Sequence, residues 1–201
     1  MSNSKTVETE VKLYVTDLTS IEQRLQALGA HLAAPRVYER NVRYEDAANS
    51  LTKNEKVLRL RMDSRARLTY KDPYNTTTTG IMSRTELEVT VSDFEMMDLI
   101  LRKLGFYAAW TYDKYRTTYE MDDCEIVLDE LGFGLFVEIE GEADAIEAMI
   151  TKLGLTNVKR IPASYSVLFF RVKRQLGLTF DDLTFENFKG VTIPPTLIES
   201  L

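Results

Sequence analysis

The sequence predicts an α+β fold in which antiparallel strands close, or nearly close, into a barrel with a charged lumen and helices packed outside. Three observations predict it. Val7-Glu8-Thr9-Glu10-Val11-Lys12-Leu13 alternates, so Glu8, Glu10 and Lys12 share one strand face while Val7, Val11 and Leu13 share the other. The pattern returns at Glu86-Leu87-Glu88-Val89 and at Val137-Glu138-Ile139-Glu140, and an amphipathic helix ending in Leu-Gly follows each of the three strands. The intervening strands are also two-faced, with charge on one side and Val, Leu, Ile or Tyr on the other. Helices outside and charges inside satisfy both faces. Such a lumen is tolerable only with mixed signs, water and a charged ligand, because uncompensated buried charge is costly.

The elements follow in order. The first helix carries Leu18, Ile21, Leu25 and Leu28, with Thr16 or Asp17 as cap and Gly29 as stop. Residues 38–45 form a return strand. Residues 57–62 alternate apolar and basic side chains, Asp63-Ser64 turns the chain, and residues 67–71 continue as a strand. Asp72-Pro73 breaks that strand, and residues 74–80 read as a Thr-rich loop. Ser92-x-x-Glu95 reads as a capping box for a second helix through Phe94, Leu99, Ile100, Leu101 and Leu104, closed by Gly105. A second return strand spans residues 112–120, and residues 124–129 and 135–140 form a hairpin around Gly132-Phe133-Gly134. A third helix through Ala145, Ile146, Met149, Ile150 and Leu153 ends at Gly154, and a fourth spans residues 164–176 before Gly177. The strand-helix-strand order reads as an internal duplication with a partial third copy. The tail from residue 178, with Pro194-Pro195, either drapes over the surface or lacks fixed structure.

Composition narrows the class. A chain of 201 residues with 44% hydrophobic and 28% charged residues suits one large soluble domain with a sizeable core. A formal charge of −6 argues against a nucleic-acid coat protein or a polybasic membrane binder, yet permits a basic site within an acidic shell. One Cys (Cys124) and one His (His31) exclude an internal disulfide and a zinc cluster, which suits a reducing cytoplasm. The first five residues lack an apolar run, so no leader is expected, and no stretch approaches the ~18 apolar residues of a membrane span. A homodimer is the commonest soluble assembly.

Carboxylates on neighbouring strands supply hard oxygen donors suited to Mg²⁺ or Mn²⁺, and Arg and Lys opposite them make a cradle for a polyanion. A metal-bound polyphosphate needs both walls. No Gly-rich phosphate loop is present, so side chains would hold the phosphates. The competing reading is a solvated sheet face with cross-strand Glu–Arg pairs. Pattern alone leaves both open. His31 reads as a surface or capping residue, and Cys124 as a small, partly buried one. Trp110, Tyr107 and Tyr112 read as packing residues with base stacking as the alternative, and Arg171, Lys173 and Arg174 as the wet side of the last helix.

Glu8-Thr-Glu10-Val-Lys12 resembles the Glu-x-Glu-x-Lys signature of the CYTH superfamily, the triphosphate tunnel metalloenzymes. Leu58-Arg-Leu-Arg61, Leu68-Thr-Tyr-Lys71, Arg84-Thr-Glu-Leu-Glu88, Lys114-Tyr-Arg116 with Tyr119, Leu128-Asp129, Phe136-Val-Glu-Ile-Glu140-Gly141 and Ser164-Tyr165 resemble its successive blocks. The resemblance implies a closed eight-stranded antiparallel tunnel over residues 1–177, with residues 178–201 as an extension outside it. It implies Glu8, Glu10, Asp129, Glu138 and Glu140 as metal ligands, with Glu86 and Glu88 contacting metal or water. It also implies Arg59, Arg61, Lys71, Lys114 and Arg116, with Arg84, as the triphosphate cradle. Lys12 matches the signature lysine, which contacts phosphate or positions the attacking group, and Asp129 would help orient a water. The activity this implies is divalent-metal-dependent hydrolysis of an inorganic, thiamine or nucleoside triphosphate. The alternatives are class IV adenylyl cyclase chemistry, giving cyclic AMP and pyrophosphate, and a non-catalytic polyphosphate or nucleotide binder.

Overall fold

A computed structural model describes residues 7–199. The outermost ends of the two expected segments, including the five residues read for a leader, lie outside the described residues. Alternation sets the strand faces, and pairing closes them into a ring. The strands are β1 (Val7–Val15), β2 (His31–Asp46), β3 (Val57–Met62), β4 (Ala66–Lys71), β5 (Asn75–Thr76), β6 (Met82–Val91), β7 (Phe106–Met121), β8 (Cys124–Leu131) and β9 (Gly134–Glu140). The order β1-β9-β8-β7-β2-β3-β4-β6 is antiparallel throughout and closes through β1–β6, where Glu8 faces Arg84. The eight-stranded barrel is therefore the expected one, with β5 added beside the start of β6.

The helices are α1 (Leu18–Ala27), α2 (Ser50–Lys53), α3 (Phe94–Lys103), α4 (Ala143–Lys152), α5 (Tyr165–Leu176) and α6 (Pro195–Glu199). Asp17 caps α1 by accepting from the Thr19 and Ser20 N–H groups. On α3 the cap is Asp93, which accepts from Met96 N–H, and the expected Ser92 box is displaced by one residue. Glycines 29 and 105 follow these helices at φ +79 and +96, a region that favours glycine. The predicted Thr-rich loop contains β5 and a Thr77–Gly80 turn. Helix α2 gave no sequence signal; Glu45 and Asp46 hold its first turn by accepting from Leu51, Thr52 and Ser50 N–H groups. Among the described residues no helix is long and apolar enough to cross a membrane.

The duplication is visible in the topology. Asp17 and Asp93, and Gly29 and Gly105, are each 76 residues apart. Exchanging β1–β4 with β6–β9 leaves the ring unchanged. Tyr119 of β7 donates to Glu22 of α1, and Tyr44 of β2 donates to Asp98 of α3, so each half ties down the other's helix. Two expectations change. Glu138-x-Glu140 lies on β9, the closing strand of the second half and the counterpart of β4, so it does not begin a third copy. At the 76-residue offset Glu8 corresponds to Arg84 and Glu10 to Glu86, so the two Glu-x-Glu pairs are out of step by two residues.

Outward-facing Val11, Leu13, Ile126, Leu128, Val137 and Ile139 pack beneath α1 and α4, and Val42, Tyr44 and Leu60 pack beneath Phe94 and Leu101 of α3. Inward-facing Tyr14, Leu131 and Phe136 meet Tyr165 and Phe169 of α5, which cover that end of the barrel. The tail is folded onto this cluster. Leu183 and Phe188 are buried in it, Leu183 exchanges backbone hydrogen bonds with Thr111 and Asp113, and Lys173 of α5 pairs with Asp181. Leu183→Ala is expected to lower stability by about 2–5 kcal/mol in urea melts. A loss below about 0.5 kcal/mol would mean that the tail merely drapes.

Candidate active site in the barrel lumen

Strand parity turns thirteen of the fourteen predicted site residues into the lining of one cavity of about 910 Å³. Glu8, Glu10 and Lys12 enter from β1, Arg59 and Arg61 from β3, Lys71 from β4, and Arg84, Glu86 and Glu88 from β6. Lys114 and Arg116 enter from β7, and Glu138 and Glu140 from β9. Asp129 is the exception. It shares the inward face with its cross-strand neighbour Arg116 but is fully buried beneath the lining, accepting from Lys114 (2.9 Å), from Arg116 through two nitrogens (2.6 and 2.7 Å) and from Tyr165 (2.9 Å). Two cations and a phenol contact its oxygens, and these contacts hold Lys114 and Arg116 in place.

Most of the lining is cross-paired. Lys71 sits between Glu8 (3.1 Å) and Glu86 (2.5 Å), and Arg84 also reaches Glu8 (2.9 Å). Burial opposes ionisation of Glu8, yet Lys71 and Arg84 outweigh it and hold the carboxyl well below the usual range. Arg61 bridges Glu39 (3.2 Å) and Glu88 (2.8 Å). Lys12 is almost fully buried against Glu138 (3.0 Å), the Ala163 carbonyl (3.2 Å) and the Tyr165 ring (4.6 Å). Burial alone would lower its pKa, but Glu138 and Glu10 raise it, so Lys12 stays protonated.

Two patches are not balanced. Arg43 has its Nη1 on Ser166 Oγ (2.8 Å) with the Trp110 ring 5.8 Å away, and no carboxylate within ion-pair distance among the described residues. Arg59 has Glu88 only at 3.9 Å, is otherwise held by Tyr112 and Thr69 oxygens, and keeps a buried Nε without a partner. Across the lumen, Glu10, Glu140 and Glu125 stand side by side on β1, β9 and β8. Burial, with Glu8, Glu125, Glu10 and Glu86 nearby, pushes the Glu140 carboxyl up to about 7. Burial and Glu138 raise Glu10 as well. The site thus has cations short of close anions on one wall and carboxylates crowded together on the other.

A carboxyl whose pKa is raised on folding, here from 4.5 to about 7, binds its proton more tightly in the folded state. Its contribution favours the fold at low pH and is lost as pH rises through that interval. Between about pH 5 and about pH 8 the metal-free protein should therefore lose more thermal stability than Glu140→Gln. Parallel melting profiles for the two proteins would show that Glu140 titrates normally.

Several lining residues escaped the sequence reading. Glu39 and Arg43 line the cavity from β2 with the buried Asn41 between them, an alternation legible within the expected return strand. Tyr74 had no signal, since it lies outside a regular element. Its hydroxyl donates to Glu10 Oε1 (2.8 Å) and its ring lies 3.8 Å from the Arg84 guanidinium. Trp110 stacks on Tyr112 at 4.8 Å and packs against Phe169, as expected for a packing residue, while also lining the cavity. Tyr119 faces outward, His31 is exposed on β2, and Cys124 is buried at the start of β8.

Among the described residues no three Asp, Glu, His or Cys side chains converge into a ready-made metal nest. The donors fit a different arrangement. Mg²⁺ is commonly held by one or two carboxylates together with substrate phosphates and waters, and the crowded Glu10–Glu140 pair has the negative charge such a cation relieves.

A family profile for the CYTH domain matches residues 6–165. The Methanocaldococcus jannaschii protein named "Putative adenylate cyclase MJ0240" is 29% identical over 136 residues, covering 67% of this chain and 76% of its own. A Vibrio parahaemolyticus structure described in the same terms superposes with a TM-score of 0.71 at 18% identity, covering 82% of this chain and 98% of its own. HpAC1 of Hippeastrum, described as having a dominant triphosphatase activity, superposes with a TM-score of 0.62 at 20% identity, covering 81% and 95%. At these identities the two structural likenesses show a shared fold.

Proposed function

The chain belongs to the CYTH domain family, and from that premise we propose that its lumen binds a triphosphate with Mg²⁺ or Mn²⁺ and hydrolyses a terminal phosphate. The observation that carries this reading is the division of one cavity into an under-paired basic wall at Arg43 and Arg59 and an over-crowded acidic wall at Glu10 and Glu140. A polyanion alone would suit the first wall and a cation alone the second; a metal–triphosphate complex suits both.

Glu10 and Glu140, with Glu8 and Glu138 beside them, would hold the divalent ion, which when bound neutralises phosphate oxygens and favours attack by water. Arg59, Arg61, Lys71, Arg84, Lys114 and Arg116 hold the phosphates and stabilise charge as the leaving group departs. Asp129 keeps Lys114 and Arg116 aimed at the lumen. Lys12, held protonated, contacts phosphate or steadies Glu138 and does not serve as a base. Glu86 and Glu88 hold Lys71 and Arg61 in place. The partner in this reading is a small triphosphate, with neither nucleic acid nor membrane involved, and a single cysteine in the sequence suits a cytoplasmic setting.

The second reading, cyclisation of ATP, is supported by the name given to the M. jannaschii relative. One panel separates them: tripolyphosphate, thiamine triphosphate and ATP, each with Mg²⁺ or Mn²⁺ and each with chelator. The expected result is metal-dependent phosphate release that chelator abolishes. Cyclic AMP and pyrophosphate from ATP would replace hydrolysis by cyclisation. Thermal stabilisation by triphosphate without any product would leave a binding module.

A further inference from the structure

The two halves of the barrel are covered unequally. At the 76-residue offset, Val11 and Leu13 of β1 correspond to Leu87 and Val89 of β6. The first pair is 0% exposed, packed beneath α4 in the outer cluster. The second pair is 50% and 58% exposed. The cause is a missing element. Helix α4 follows β9, whereas the counterpart strand β4 is followed by β5, which pairs with the start of β6 and leaves the outer face over Leu87 and Val89 bare.

Helix α3 turns apolar side chains toward that vacant seat. Where α1 carries Ser20, Gln23 and Arg24, α3 carries Met96, Leu99 and Ile100, all about half exposed. Arg24 Nε reaches the Lys152 carbonyl of α4 (2.9 Å), so this flank of α1 faces α4. The equivalent flank of α3, at Ile100, faces the place where, among the described residues, α4 has no counterpart. The helix that fills the seat in the first half is matched in spacing by α3 itself. Ile146, Met149 and Ile150 of α4 stand at i, i+3 and i+4, as do Met96, Leu99 and Ile100.

We infer that a second copy of this chain docks here, the α3 ridge of each copy entering the vacant seat of the other about a two-fold axis. Half-exposed Leu87, Val89, Met96, Leu99 and Ile100 with Leu104 present on the order of 600 Å², at the upper end of what a monomer leaves bare and approaching the ~800 Å² each partner of a stable complex covers. Charge selects the two-fold axis that runs across α3 and sets the two helices antiparallel: Asp93 and Glu95 lie at the start of α3, and Arg102 and Lys103 at its end. The surface lies outside the barrel and is independent of the chemistry in the lumen.

Sedimentation equilibrium of the full chain tests this. The wild type should show twice the 23.1 kDa mass of one chain, and Ile100→Glu a single chain with an unchanged far-ultraviolet spectrum. Glu95→Lys should weaken association at least tenfold, and adding Lys103→Glu should restore it, a rescue that misfolding could not produce. A wild type that remains single at about 100-fold above micromolar concentration, or a dimer indifferent to Ile100→Glu, overturns the inference. Triphosphate-induced thermal stabilisation, followed in parallel, reports on the lumen separately.

Discussion

Asp129→Asn is expected to cost about 3–5 kcal/mol of stability, the largest effect of any single change in the lumen wall. The carboxylate is fully buried and holds two cations and the Tyr165 hydroxyl. Asparagine keeps the shape but removes the charge, leaving Lys114 with only Glu39 at 3.6 Å and Arg116 with only Glu138. An amide nitrogen would also oppose donors already aimed at that site. Urea melts measure the loss. A variant within about 1 kcal/mol of wild type would show that water or rearranged neighbours replace the carboxylate. Any activity that remains should show a raised KM, because the two phosphate-facing cations lose their orientation.

Arg59→Ala makes the opposite prediction. Its nearest carboxylate is 3.9 Å away and its buried Nε has no partner, so no close ion pair is broken when it is removed, although Tyr112, Glu86 and Glu39 favour its charge at longer range. Thermal melting should fall less than for Asp129→Asn, while triphosphate turnover falls roughly 10²–10³-fold, as when one preorganised donor is removed from a transition state. Equal losses of stability and activity would make Arg59 a structural cation and weaken the phosphate cradle. Together the two variants separate a charge that supports the wall from one held ready for a ligand.

Legibility varied with distance along the chain. The period-2 alternation in residues 7–13, 57–62 and 134–140 was readable because neighbouring side chains on a strand report their face directly. Helix starts and stops were readable to within one residue, as Asp93 in place of Ser92 shows, because capping uses side chains two or three positions away. The repeat is visible in the sequence but its register is not: Glu-x-Glu matches Glu-x-Glu by pattern, whereas the capping aspartates and stop glycines fix an offset that sets Glu8 against Arg84.

Two lumen contacts depend on a partner far away in sequence. Tyr74 reaches Glu10 across 64 positions, and Tyr165 reaches Asp129 across 36. Neither contact leaves a local pattern. The same holds for the tail, whose Leu183 is placed by pairing with Thr111 and Asp113.

The sequence by itself determined which side chains face inward, since alternation leaves each strand only two choices and burial of the apolar face selects one. With the ordered family blocks beside it, alternation also pointed to acids and bases in one lumen. Only the tertiary structure decided which charges neutralise each other and which are left over. That depends on strand order and register around the closed ring, which set Lys71 between Glu8 and Glu86, paired Asp129 with Arg116, and left Arg59 with its nearest carboxylate 3.9 Å away while Glu10 and Glu140 stand together.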